Sequence, residues 1–210
     1  MNLPHPSQLN LADIVLTSRK KSILSNLINI FSTTPSDKTK TIFGHVAIAC
    51  SSNNKKNIIE ALTTGVTKSS ITKYSKKHTV LIARLNCLKY FEGLQIINKA
   101  ESYIGKKYGF LLLIGHLADY FFSNLIRKDF YFFRKLTGNN NYPICSWVVS
   151  YAYDSIHIRF NSLKPRCVQP DDIADEIQFN PLQWSVIFSN AINAPTPPKK
   201  YSQIPSGPLS

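Results

Sequence analysis

Asn141-Tyr142-Pro143-Ile144-Cys145-Ser146-Trp147-Val148-Val149-Ser150-Tyr151-Ala152-Tyr153 is the stretch on which the fold turns. A loop rich in asparagine, closed by a proline, delivers a cysteine to the first turn of an apolar helix. From Cys145 onward, Val148, Val149, Ala152 and Ile156 recur at i+3, i+4, i+7 and i+11, one face of a helix. The N–H groups of such a helix start have no acceptor within the helix, and the dipole there favours negative charge. A thiolate is stabilised at that place, and the thiolate is the nucleophilic form of cysteine. The plain alternative is a small buried hydrophobe, the usual state of a lone cysteine. A base and its orienting group elsewhere in the chain decide between the two.

Residues 41–50 supply the base. Their alternation predicts a strand with His45, Ala47 and Ala49 on one face and Val46, Ile48 and Cys50 on the other. Residues 51–56 read as a polar turn, and residues 57–62 as the returning strand. With the hairpin centred near Asn53-Asn54, Ala47 lies opposite Glu60 and His45 opposite Leu62. Glu60 is then a diagonal neighbour of His45 on the same face, about 7–8 Å away and within reach of long side chains. A slip of one residue would turn Glu60 to the other face, so the register carries the inference. A cysteine nucleophile needs a base to take its proton, and the base needs a third group to hold its ring. Cys145, His45 and Glu60 supply all three.

The rest of the chain builds a body around them. Residues 11–17 alternate as a strand, with Ile14 and Leu16 on one face and Asp13, Val15 and Thr17 on the other. Residues 22–31 show helical spacing and residues 32–37 a loop composition. Gly65 and the Lys/Ser/Thr-rich residues after it read as a connection. Residues 79–85 form another strand. Residues 92–104 place Leu94, Ile97, Ala100 and Ile104 on a helical stripe that Gly105 stops as a C′ residue. Residues 110–136 are dense in Leu, Ile, Phe and Tyr, with His116, Asp119, Ser123 and Arg127 as a polar stripe on a helix. His116 and Asp119 read there as a solvated polar face. The unbroken apolar run 110–114 is far short of the roughly 20 residues a membrane span needs. A core or lid helix is expected, with a membrane-facing surface as the alternative that Arg127, Lys128, Arg134 and Lys135 keep open. Pro170-Asp171-Asp172-Ile173-Ala174 reads as a helix start. Leu182, Trp184, Val186 and Phe188 alternate as a last strand.

Composition sets the bounds. The chain has 210 residues, 43% of them hydrophobic, which suits one core better than two. One catalytic domain over residues 11–190 is expected, with residues 1–10 as a flexible arm, 110–136 as an apolar helical insertion and 191–210 as a proline-rich disordered tail. Four cysteines without a CxxC pair suggest free thiols in a reducing, cytoplasmic setting, and no secretory signal is read at the N-terminus. No metal-ligand spacing is evident, and no cofactor is expected. The net charge of +13 favours anionic partners, among them an acidic membrane surface. The lysine pairs are not interleaved with aromatics as in a nucleic-acid module, so sequence-specific nucleic-acid recognition is not expected.

An ordered series of short motifs ties these readings together: Asp13-Ile14-Val15-Leu16, Gly44-His45-Val46-Ala47-Ile48, Ile59-Glu60-Ala61, Ala83-Arg84, Gly105-Lys106-Lys107-Tyr108, and Cys145-Ser146 with Val148, Ala152 and Tyr153. The series resembles the NlpC-type papain-like cysteine hydrolases. More narrowly, it resembles their circularly permuted branch, the YiiX-like proteins, with poxviral and lecithin–retinol acyltransferase-like relatives. Chain order discriminates, because in the permuted branch the histidine strand precedes the cysteine. The resemblance implies an α+β fold, a small antiparallel sheet packed against the cysteine helix. It implies Cys145 as nucleophile, His45 as base, Glu60 as the group orienting it, and cleavage or transfer at an amide or ester. The Cys145 N–H is the natural oxyanion donor and Ser146 N–H a second, while Tyr142 or Tyr108 either closes one side of the pocket or, the plainer reading, serves in packing. Arg84 reads as a structural ion-pair partner. Three departures stand out: Ala12 replaces the glycine that commonly precedes the first-strand Asp, Trp147 stands where an acid often follows Cys-Ser, and the 110–136 insertion is unusually apolar. The last two argue against a murein-peptide substrate and, with the basic surface, toward an amphiphile with an anionic head. The competing readings are an inactive lipid- or peptide-binding module of the same fold and a basic nucleic-acid-binding or scaffold protein.

Overall fold

Ile14–Arg19 forms the strand around which the sheet is laid (β1), and its Ile14, Val15 and Leu16 are all buried because both faces of the sheet are covered. The computed structural model describes residues 9–19, 42–50, 57–74, 78–127, 132–133 and 143–191. The expected helix at 22–31, the loop at 32–37, the turn at 51–56, Tyr142, the end of the 110–136 segment and most of both termini lie outside the described residues.

β1 pairs antiparallel with β2 (His45–Ala49) on one side and β5 (His78–Leu85) on the other. β3 (Asn57–Leu62) and β4 (Gly65–Ser70) extend the sheet beyond β2, and β6 (Trp184–Ser189) beyond β5. The order is β4-β3-β2-β1-β5-β6, with every pairing antiparallel. Alternation sorts the side chains into two clusters. Ile14, Leu16, Val46, Ile48 and Ile59 face the helices, whereas Val15, Ala47, Ile58, Val80 and Ile82 form a smaller cluster with Tyr74 on the other face.

The α-helices among the described residues are α1 (Tyr90–Glu101), α2 (Phe110–Ile126), α3 (Cys145–Asp154) and α4 (Pro170–Phe179). α3 lies on β2 and β3 with α1 beside it, and it is apolar nearly all round because it is enclosed nearly all round. Ile156 falls beyond its end, in a turn. Trp147, the departure after Cys-Ser, sits edge-on to Tyr103 with ring centres 4.9 Å apart and 4.2 Å from Tyr151. α4 starts as its sequence announces, with Asp172 Oδ2 accepting the Gln169 N–H at 2.8 Å.

Three expectations need correction. The residues from Gly65 on are not a connection. They form edge strand β4, in register with β3 from Asn57↔Ser70 to Leu62↔Gly65, followed by a single 3₁₀ turn at Ile71–Tyr74. Their lysines and serines suit an exposed edge, which sheets protect with polar side chains. Gly65 itself has φ +120°, and a Cβ there would meet the Lys106 carbonyl oxygen at 2.7 Å. That contact clips the chain before Tyr108 to the sheet edge, through Val66 N–H to Lys106 O and Gly105 N–H to Val66 O, both 2.9 Å. Second, α1 buries Gly93, Ile96, Ile97 and Ala100, so Leu94 and Ile104 point outward. The helix stops at Glu101, and Gly105, at φ +85°, closes the turn after it instead of serving as its C′ residue. Third, α2 is turned inside out. Asp119 and Ser123 are buried, while Ile114, Phe121, Phe122, Leu125 and Ile126 are exposed.

Ala12 explains why a glycine is common at its place. Its φ is +65°, in the left-handed region, and its carbonyl accepts the Tyr153 hydroxyl at 2.5 Å. A left-handed alanine costs about 1–2 kcal/mol that glycine avoids. Ala12→Gly is therefore expected to stabilise the fold by about 1 kcal/mol, raising Tm by roughly 2–4 °C in thermal unfolding. A lowered Tm would contradict the strain.

Candidate active site

The hairpin register decides whether His45 and Glu60 meet. β2 and β3 pair as Ile48↔Ile59 and Ala49↔Ile58, the register of a hairpin centred at Asn53-Asn54. His45 and Glu60 consequently share a face, and His45 Nε2 lies 2.9 Å from Glu60 Oε2. Nε2 donates, since a carboxylate can only accept. The other ring nitrogen, Nδ1, is then left for the Cys145 thiol, which hydrogen-bonds the same imidazole. His45 opens β2 and Cys145 opens α3, so the end of the strand and the start of the helix meet at the sulfur.

Glu60 is fully buried, and burial pushes its carboxyl up. His45, Lys73 and Tyr74 outweigh that and bring it down to about 2. The Tyr74 hydroxyl donates to Oε2 at 2.5 Å, and the Lys73 ammonium pairs with Oε1. Burial together with the Glu60 charge keeps the Tyr74 phenol protonated, and Thr17 of β1 hydrogen-bonds it in turn. The carboxylate therefore has three donors, one of which is the catalytic-type imidazole.

Burial lowers the affinity of His45 for a proton, but the Cys145 thiolate and Glu60 more than compensate, raising it to about 9. Burial likewise pushes the Cys145 thiol up. The His45 ring beside it and the backbone N–H groups of Val46 and Ser146 outweigh this and hold it below the ordinary thiol range. Both shifts favour the ion pair of thiolate and imidazolium over the neutral pair. The α3 start adds N–H groups with no helical acceptor, and Ile144 provides no side-chain cap to fill them.

The other residues singled out in the sequence divide. Tyr108 is buried near the sulfur, and its phenol is raised by burial and by the charge on Cys145. Ser146 is buried, and its hydroxyl donates to the Val168 carbonyl at 2.7 Å, a structural bond. Arg84 makes a two-pronged ion pair with buried Asp13, Nε to Oδ1 at 2.8 Å and Nη2 to Oδ2 at 2.9 Å. Asp119 is not solvated beside His116, because its Oδ1 accepts the Phe133 N–H at 2.8 Å. Among the described residues no three His, Cys, Asp or Glu side chains are grouped to hold a metal ion.

Sequence reasoning misses Lys73 and Tyr74. They follow a polar edge strand that reads as loop, and only the Ile71/Tyr74 pair at i+3, an apolar spacing inside a polar run, hints that the segment turns inward.

A histidine on an early strand, a carboxylate on the next, and a cysteine a hundred residues later at a helix start is an order that separates permuted from ordinary papain-like enzymes. No curated protein matches the chain. Over residues 8–179 it matches the permuted papain-like amidase enzymes of the YaeF/YiiX, C92 family, and it belongs to that family.

Proposed function

We propose that the protein cleaves an amide or ester bond through a thioester on Cys145, with His45 as its proton carrier and Glu60 holding the imidazole. The observation that carries this reading is the unbroken chain of contacts from Glu60 through His45 to the Cys145 sulfur. The sulfur attacks the carbonyl carbon, and the oxygen takes up negative charge beside the Cys145 N–H. The Ser146 N–H is directed at the sulfur, and Tyr108 stands as a second neighbour of the reacting centre. His45 passes its proton to the leaving amine or alkoxide as the C–N or C–O bond breaks. Water then attacks the thioester, His45 takes its proton, and the thiolate leaves; an alcohol or amine in place of water makes the same step an acyl transfer. The basic surface and the apolar α2 favour an amphiphilic substrate with an anionic head, a phospholipid or a lipidated peptide.

The test is alkylation of Cys145 by iodoacetamide across pH, beside hydrolysis of amide and ester probes. An ordinary thiol, with a pKa of about 8.5, gains reactivity about tenfold per unit between pH 6 and 8. Cys145 is expected to label faster than an ordinary thiol at pH 6–7 and to gain less with pH over that range. Because the pKa of His45 is raised to about 9, its proton is present below that value and lost above it. Hydrolysis is therefore expected to fall as pH rises through about 9, while alkylation does not. A thiol that titrates as an ordinary one, with no turnover of any probe, would instead make the protein a binding module of the same fold.

A further inference from the structure

We propose that the outward face of α2 is a seat for an anionic membrane surface, a role that concerns where the protein docks and does not require Cys145 to react. A helix on a water-facing surface normally turns its polar stripe outward; α2 does the reverse. Asp119, its sole acidic residue, is fully buried and tied to the Phe133 N–H, and Ser123 is buried one turn on. The opposite side presents Ile114 at 59% exposure, Phe121 at 62% and Leu125 at 78%, spaced i, i+7 and i+11 on one line; Phe122 and Ile126, nearer the Asp119 side, are exposed as well.

The occupant is read from charge and length. Lys107 before the helix and Arg127 at its end are exposed, and Lys106 is half-buried. An apolar face between basic flanks is the pattern of a helix lying in the interface of an acidic bilayer. Seventeen residues span about 25 Å along the surface, and no helix of the described residues is long and apolar enough to cross a membrane. A second copy of the chain is a poor occupant, since each would bring the same basic flanks and a net charge of +13. The chain just before α2 is tied to the residues that lead into Cys145. The segment leaves after Tyr108 and returns at Pro143, where Gly109 N–H donates to the Pro143 carbonyl at 3.0 Å.

Flotation of the full chain with vesicles tests this, using phosphatidylcholine alone and phosphatidylcholine mixed with phosphatidylserine. Binding to the acidic vesicles is expected to exceed binding to the neutral ones by about tenfold or more. The Phe121→Ser/Leu125→Ser double variant is expected to lose about tenfold or more of that binding with unchanged circular dichroism. Arg127→Glu should narrow the preference for acidic lipid. Leu182→Ser, at another fully exposed apolar site, should change nothing. Cys145→Ala should bind as the wild type does, which separates docking from catalysis. The proposal is overturned if neither vesicle binds, if the double variant floats as well as the wild type, or if light scattering shows an α2-dependent dimer in place of vesicle binding.

Discussion

Cys145→Ala is expected to reduce amide hydrolysis by about 10⁴-fold or more, His45→Ala by a similar factor, and the double variant no further. The reason lies in the contacts. The His45 ring favours the thiolate form of Cys145, and Cys145 and Glu60 together favour the protonated form of His45. Neither group acts alone, so losing the second after the first removes nothing more. Residual rate in the double variant would come from the N–H groups of the α3 start and from substrate binding. The folding cost of the cysteine substitution is small, since alanine keeps the Cβ in a tightly packed helix and loses one sulfur atom. Trapping of an acyl adduct on Cys145 by mass spectrometry in the wild type is the companion measurement. Costs that multiply in the double variant, or a Cys145→Ala rate within tenfold of wild type, would remove the nucleophile from the mechanism.

The meeting of these residues was legible in the sequence because each stands in an element with a strong period. The alternation at β2 names the face of His45. The turn centre at Asn53-Asn54 then names the register, and register alone fixes that Glu60 shares the face. The helix period after Cys145 names its first turn. What stayed hidden has physical reasons too. A polar edge strand such as β4 makes its bonds through backbone, which every residue carries, so its side chains announce a loop. Lys73 and Tyr74 were lost with it. On α2 the period reveals that a polar stripe exists but not which side meets water. The buried hydrogen bond of Asp119 to Phe133 decides that, and it depends on a contact fourteen residues away. The backbone of Ala12 could be suspected only because glycine is usual there. No periodicity reports a single positive φ.

Glu60→Gln separates a positioning role from a merely structural one. The variant keeps the shape but removes the charge that His45, Lys73 and Tyr74 share. Lys73 then lacks its counter-charge, and an amide cannot accept three donors as a carboxylate does. Removing one partner of a buried pair costs several kcal/mol. With the Lys73 side chain about a third exposed, a loss of about 1–3 kcal/mol in urea unfolding is expected. The linkage signs follow. Because the pKa of Glu60 is depressed to about 2, its contribution is present above the ordinary carboxylate range and lost as pH falls through about 2; the variant should lack that acid-side change. The raised pKa of His45 contributes below its ordinary value and is lost as pH rises through about 9. Without Glu60 that upper limb should move to lower pH, while hydrolysis falls by about 10²–10⁴-fold as the ring loses its fixed orientation. Tyr74→Phe removes a donor and leaves the charge. It should cost about 0.5–1.5 kcal/mol, change the rate by less than about tenfold, and leave the upper limb near 9. A Glu60→Gln enzyme that is less stable yet keeps its upper limb near 9 would assign Glu60 to the core of the sheet and not to the work of His45.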